Sequence, residues 1–171
     1  DNGSTDGTNE VARKHGSIVV HENRRGYGQA YKAGLPNASG DIVITLDGDN
    51  SYPLANLEIM LSCMERGHYD FVTGSRFPMA HKNAQPAINK IANYFISWLI
   101  RALFKLDLKD SQSGMMAFKK SVPDEIKVQN PGMGFSQEFK IRAFLNPKIK
   151  CGETHISYVK RIGDVKFNKI D

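Results

Sequence analysis

Ser39-Gly-Asp-Ile-Val-Ile-Thr-Leu-Asp-Gly-Asp-Asn50 sets an apolar, β-branched run over 41–46 immediately before two carboxylates. Valine and isoleucine suit a pleated, buried strand, and in open α/β sheets ligands bind beyond the carboxyl ends of the strands. Asp47 and Asp49 are therefore delivered to a strand end, on a loop that Gly48 lets bend. Two hard oxygen donors in that place suit Mg²⁺ or Mn²⁺ beside a pyrophosphate. Aspartate and glycine are also common turn formers, so the pair by itself leaves a plain turn open as the other reading.

Outward from this strand the chain alternates between strand-like and helix-like runs, which predicts an α/β fold. Upstream, Thr5 or Asp6 caps a helix running toward His15 and Gly16, Ser17-Ile-Val-Val-His21 has the content of a buried strand, and a second helix fits Gly28 to about Ala38. Downstream, Pro53 starts a helix to about Glu65, and Tyr69-Asp-Phe-Val-Thr73 forms a strand that ends in Gly74-Ser-Arg76. From Ile88 to Leu106, Ile91, Phe95, Trp98, Leu99, Ala102 and Leu103 recur at helical spacing. Lys90, Arg101 and Lys105 interrupt that helix, which excludes a bilayer span of roughly 20 apolar residues. The spacing predicts a helix packed into the core, with a lipid-interface helix as the second reading.

The 171 residues suit one domain, 1–171, and 40% hydrophobic with 24% charged residues excludes a membrane bundle and a disordered tail. A net charge of +5 favours anionic partners. Nucleic acid is not expected, since no helix-turn-helix, zinc or aromatic-basic signature accompanies the charge. Cys63 and Cys151 make neither a disulfide framework nor a zinc spacing and read as reduced thiols. The five histidines are scattered without metal spacing. Gly26-x-Gly28 meets Tyr31 where a dinucleotide fingerprint needs glycine, and no Walker lysine follows a glycine loop. Arg24-Arg25 fits a solvated loop or a phosphate contact. Glu138, in Phe135-Ser-Gln-Glu138, reads as a helix-start acid with Ser136 as cap.

Three ordered segments resemble family 2 glycosyltransferases: Asp1-Asn-Gly-Ser-Thr-Asp-Gly-Thr8, Asn23-Arg-Arg-Gly-Tyr-Gly-Gln-Ala-Tyr-Lys-Ala-Gly34 and the Ser39–Asp49 stretch. Later segments, Gly74-Ser-Arg76, Asp110-Ser-Gln-Ser-Gly114 and Tyr158-x-x-Arg161-x-Gly163-x-x-Lys166, resemble the dolichyl-phosphate mannose synthase group and other polyprenyl-phosphate glycosyltransferases. Two positions depart from the pattern: Asn2 replaces the second acid of the first loop, and Ser51 stands where a glutamine can complete the metal site.

The resemblance implies a GT-A fold, Rossmann-like, with a mostly parallel sheet flanked by helices. The strand that normally precedes Asp1 is absent, so the chain reads as a catalytic-domain fragment. It implies nucleotide-sugar contacts at Asp1, Asp6, Asp47, Gly26 and Gly28, and a metal on Asp47 and Asp49. The implied reaction is inverting transfer of a sugar from a GDP- or UDP-sugar to a polyprenyl phosphate, at the cytoplasmic face of a membrane with peripheral contact. Asp49, Asp110 and Arg76 are the candidate catalytic residues. Arg76, Arg161 and Lys166 are candidates for the acceptor phosphate, arginine being suited to bidentate contact. Asp110 could orient the acceptor, or act as base toward a sugar hydroxyl. Transfer to a carbohydrate hydroxyl is the alternative reaction, and an inactive nucleotide-binding fragment is the third reading.

Overall fold

Phe71–Ser75 (β2) is buried at every position, the mark of a strand covered on both faces. The computed structural model describes residues 1–79 and 86–163. Within them β2 lies in a four-stranded sheet with Ile42–Thr45 (β1), Met116–Lys119 (β3) and Cys151–His155 (β4), in the order β1-β3-β2-β4. β3 pairs antiparallel with β1 and β2, whereas β2 and β4 are parallel. Three of the four strands thus share one direction and only β3 runs against them, which agrees with a mostly parallel sheet.

Register decides what each face buries. Phe71 stands opposite Phe118, and Val72 opposite Ala117, so the alternation along a strand sends the phenylalanines to one face and the smaller pair to the other. On the first face, Phe71 and Phe118 meet Phe135, Phe139 and Ala143 of Phe135–Leu145 (α6) and Val122 and Ile126 of Val122–Ile126 (α5). On the second, Val72 and Ala117 meet Met60 and Met64 of Asn56–Gly67 (α3), with Tyr52 and Ile156. Complete burial of one such phenylalanine stabilises by about 1.5–3 kcal/mol. Pro53 lies in a turn ahead of α3. The buried side chain of Asn56 instead ties the start of α3 to the end of β4, donating to the Ser157 carbonyl at 2.9 Å and accepting its N–H at 3.0 Å.

Thr8–Lys14 (α1) and Tyr27–Gly34 (α2) form where helices are expected. Two expectations fail. Ser17–His21 is extended but makes no strand ladder among the described residues, and Ile18 is 80% exposed. A strand needs a partner for its backbone groups, and cavities of about 940 and 430 Å³ separate this segment from β1.

The second failure is Ala87–Phe104 (α4), which is not a core helix. Only Ser97 and Ile100 are buried, while Phe95 and Trp98 are 59% and 55% exposed. The periodicity gave an apolar stripe correctly but could not say what the stripe faces.

Candidate functional site

β1 ends at Thr45, and the chain then turns through Asp47, Gly48 and Asp49 along one wall of the larger cavity. Thr45 anchors that end: its hydroxyl donates to the Gly114 carbonyl at 3.1 Å and accepts the Met116 N–H at 3.1 Å. Burial raises the Asp47 carboxyl above its usual range, and the neighbouring Asp49 adds to this. Arg161 approaches Asp49, Nε to Oδ2 3.4 Å, and the Ile162 N–H reaches the Asp49 carbonyl at 2.9 Å. Asp1, Asn2, Ser4, Tyr27 and Tyr31 line the same cavity.

Asp47, Asp49, Asp1 and Arg161 are therefore brought to one cavity, while several other expected site residues are not. Asp6 accepts the N–H and hydroxyl of Thr8, at 3.2 and 2.5 Å, and so serves the start of α1 outside the cavity lining. Gly26 and Gly28 are packing positions. Gly26 has φ +143°, which favours glycine, and a Cβ on Gly28 would meet the Asn130 carbonyl at 2.4 Å. Both let α2 dock on the 130–132 loop, where the Gly28 and Gln29 N–H groups bond the Gly132 and Pro131 carbonyls. Arg24 is taken up by Glu22 in its own loop, at 2.6 Å. Lys166 lies outside the described residues.

Arg76 and Asp110 also differ from expectation, because they bind each other. The guanidinium makes two bonds to the carboxylate, at 2.7 and 2.9 Å, in a buried pair. Burial pushes Asp110 up, but Arg76 outweighs it and holds the carboxyl below its usual range. A carboxylate held this way is a poor proton acceptor, so Asp110 does not act as base in this arrangement. Nor does Arg76, with 5% exposure, present a free fork to a phosphate. Glu138 sits in the first turn of α6 and accepts the Gln129 and Asn130 N–H groups, at 3.1 and 2.8 Å. The N-cap of α6 is Gly134 and not Ser136.

Two contributors escaped the sequence reading. Asn2 donates to the Glu22 and Arg24 carbonyls, each at 2.8 Å, and accepts the Gly26 N–H at 2.8 Å. Its amide thus staples the first loop to the second, with a donor that an acid would lack. Gly114 leaves room for Asp47: a Cβ there would stand 3.2 Å from Asp47 Oδ2 and 3.4 Å from the Tyr27 hydroxyl. The glycine in Asp110–Gly114 was the available signal for this contact.

Residues 1–126 match the family model for glycosyl transferase family 2. The chain belongs to that family. It is 30% identical over 167 residues to a Haloferax volcanii protein named dolichyl-phosphate hexose transferase, covering 97% of this chain and 71% of the relative. It is 34% identical over 163 residues to an uncharacterised glycosyltransferase of Mycobacterium tuberculosis, covering 95% and 73%. Among solved structures, glucosyl-3-phosphoglycerate synthase from Mycobacterium tuberculosis, in complex with Mg²⁺ and uridine diphosphate, superposes with TM-score 0.71 at 21% identity, over 98% of this chain and 59% of that one. The fold of this family 2 glycosyltransferase is accordingly GT-A, and the chain spans about three fifths of that solved structure.

Proposed function

We propose that the chain moves a sugar, with inversion, from a GDP- or UDP-sugar to a polyprenyl phosphate of the dolichyl or undecaprenyl type. The observation that carries this reading is the Asp47 and Asp49 pair at the end of β1, sharing one cavity with the Asp1 loop and with Arg161. The name of the Haloferax volcanii relative supports the same acceptor.

The donor set fits a divalent cation. Two hard carboxylates stand close enough for Asp49 to raise Asp47, and Mg²⁺ binds through one or two carboxylates, with substrate phosphates and water filling its other positions. Held by Asp47 and Asp49, Mg²⁺ or Mn²⁺ would supply charge neutralisation for the departing diphosphate. Arg161 restrains Asp49 and offers a cation for phosphate at the cavity wall.

A phosphomonoester with a second pKa of about 6 is already anionic near neutral pH and needs no base. That suits the second half of the chain, where Asp110, Glu138 and Glu153 all accept protein N–H donors. A sugar hydroxyl acceptor would need a base within hydrogen-bond reach of its proton. Location follows the acceptor. No described helix is long and apolar enough to cross a membrane, but α4 exposes Ile88, Ile91, Phe95, Trp98 and Leu103 beside Lys90 and Arg101, a composition suited to lying on an anionic, cytoplasmic membrane face.

The test is incubation with GDP- and UDP-sugars, Mn²⁺ and undecaprenyl phosphate in detergent, with chromatography of the products. A glycolipid formed only when the lipid phosphate is present supports the reading. Transfer to a carbohydrate hydroxyl, or nucleotide binding without turnover, overturns it.

A further inference from the structure

The most enclosed cation among the described residues is Lys140, on the inner face of α6 and with no exposed surface. Its amine makes two hydrogen bonds, to the carbonyls of Ser111, at 2.8 Å, and of Ser113. A buried amine is costly unless every donor is used and opposite charge is near. Lysine on a helix whose other buried residues include Phe135, Phe139 and Ala143 calls for a reason that packing does not give.

The two carbonyls belong to the loop 110–114, which touches three parts of the site. At its start, Asp110 holds Arg76. In its middle, the Ser111 N–H donates to Ser97 Oγ at 3.0 Å, and Ser97 is one of the two buried residues of α4. At its end, the Gly114 N–H donates to the Tyr52 hydroxyl at 2.8 Å, its carbonyl takes Thr45, and its missing side chain leaves room for Asp47. A short loop without regular structure spans α4 and the metal-ligand candidates, and these bonds tie it to both, alongside the Asp110 N–H to Glu153 and the Gln112 N–H to Asp110.

We infer that Lys140 is a positioning residue: through the Ser111 and Ser113 carbonyls it holds the 110–114 loop so that Gly114 and Thr45 fix Asp47 and Ser111 fixes α4. This rests on the reading of Asp47 as a cation ligand, while the clamp itself is a property of the apo chain. Burial brings Lys140 down to about 7, with Asp110, Glu153 and Asp47 opposing that fall and Arg76 assisting it. These groups come from the loop, β4, the end of β1 and the end of β2, so the amine is surrounded by the charges of the site. Bonds from an ammonium are roughly twice as strong as those from a neutral donor, so the clamp loosens as pH rises through 7.

Hydrogen exchange on the intact chain tests this without any substrate. Lys140→Met fills the volume and removes the donors, which leaves the Ser111 and Ser113 carbonyls without that partner. Amides of 111–115 are expected to exchange at least about tenfold faster in Lys140→Met, about 1.4 kcal/mol of protection, with β2 and α3 unchanged. Lys140→Gln, which keeps two N–H donors, should recover part of that protection and decides the question if the Met variant does not fold. In wild type, protection of 111–115 should fall between pH 6 and 8.5 after correction for intrinsic exchange, and in Lys140→Gln it should not. Equal protection of 111–115 in wild type and both variants overturns the inference. A second readout is transfer activity, whose decline from pH 6 to 8.5 in wild type should be absent in Lys140→Gln. If wild type transfers no sugar at all, the proposed function fails, while the exchange data still decide the role of Lys140.

Discussion

Arg76 and Asp110 are joined by three hydrogen bonds: Nε to Oδ2 at 2.7 Å, Nη2 to Oδ1 at 2.9 Å, and the Arg76 backbone N–H to Oδ2 at 3.0 Å. Removing one partner leaves the other charge buried and unpaired, a loss of about 3–5 kcal/mol. Asp110→Asn should therefore lower Tm strongly, whereas Arg76→Met with Asp110→Leu should recover most of the loss. Because the folded carboxyl titrates below its usual value, the stability it contributes is present above the unfolded pKa of about 3.9 and lost as pH falls below it. Urea unfolding of wild type and of the double variant from pH 7 to 3 checks this. The double variant should lose less stability over that range.

Gly114→Ala would place a methyl 3.2 Å from Asp47 Oδ2, tighter than ordinary contact, so the carboxylate must shift. Calorimetry of uridine diphosphate with Mn²⁺ should show affinity falling about tenfold, or 1.4 kcal/mol, with a small change in Tm. Unchanged affinity would mean that Asp47 tolerates displacement.

The strand before Asp47 and the two acids were legible because β-branched residues and a strand-end acidic turn are local signals. The failure at Ser17–His21 is of another kind, since β propensity reports a fitting side chain and not the presence of a neighbour. The motifs also misled in one consistent way. Arg76, Asp110, Gly26 and Gly28 were recognised as positions that matter, yet whether a group faces a ligand or another part of the protein depends on contacts between distant segments. Asn2 holding Gly26, and Lys140 holding the 110–114 loop, have no signature in spacing at all.

Phe95 and Trp98 stack on one another at 5.9 Å on the open face of α4. Replacing both with glutamate should abolish sedimentation with phosphatidylserine vesicles and leave Tm nearly unchanged, since surface substitutions commonly stay within about 0.5 kcal/mol. Raising salt should weaken wild-type binding, because Lys90 and Arg101 act through screened charge. Vesicle binding that survives the double substitution would remove α4 as the membrane contact.

In the proposed reaction, Asp47 and Asp49 hold a divalent cation that binds the donor's diphosphate. Calorimetric titration of uridine and guanosine diphosphates into wild type and Asp49→Asn, with Mn²⁺ and with EDTA, tests it most directly. Wild type is expected to bind with Mn²⁺ only, and Asp49→Asn to lose that binding at a Tm within about 2 °C of wild type. Equal nucleotide affinity in EDTA, or in Asp49→Asn, would contradict it.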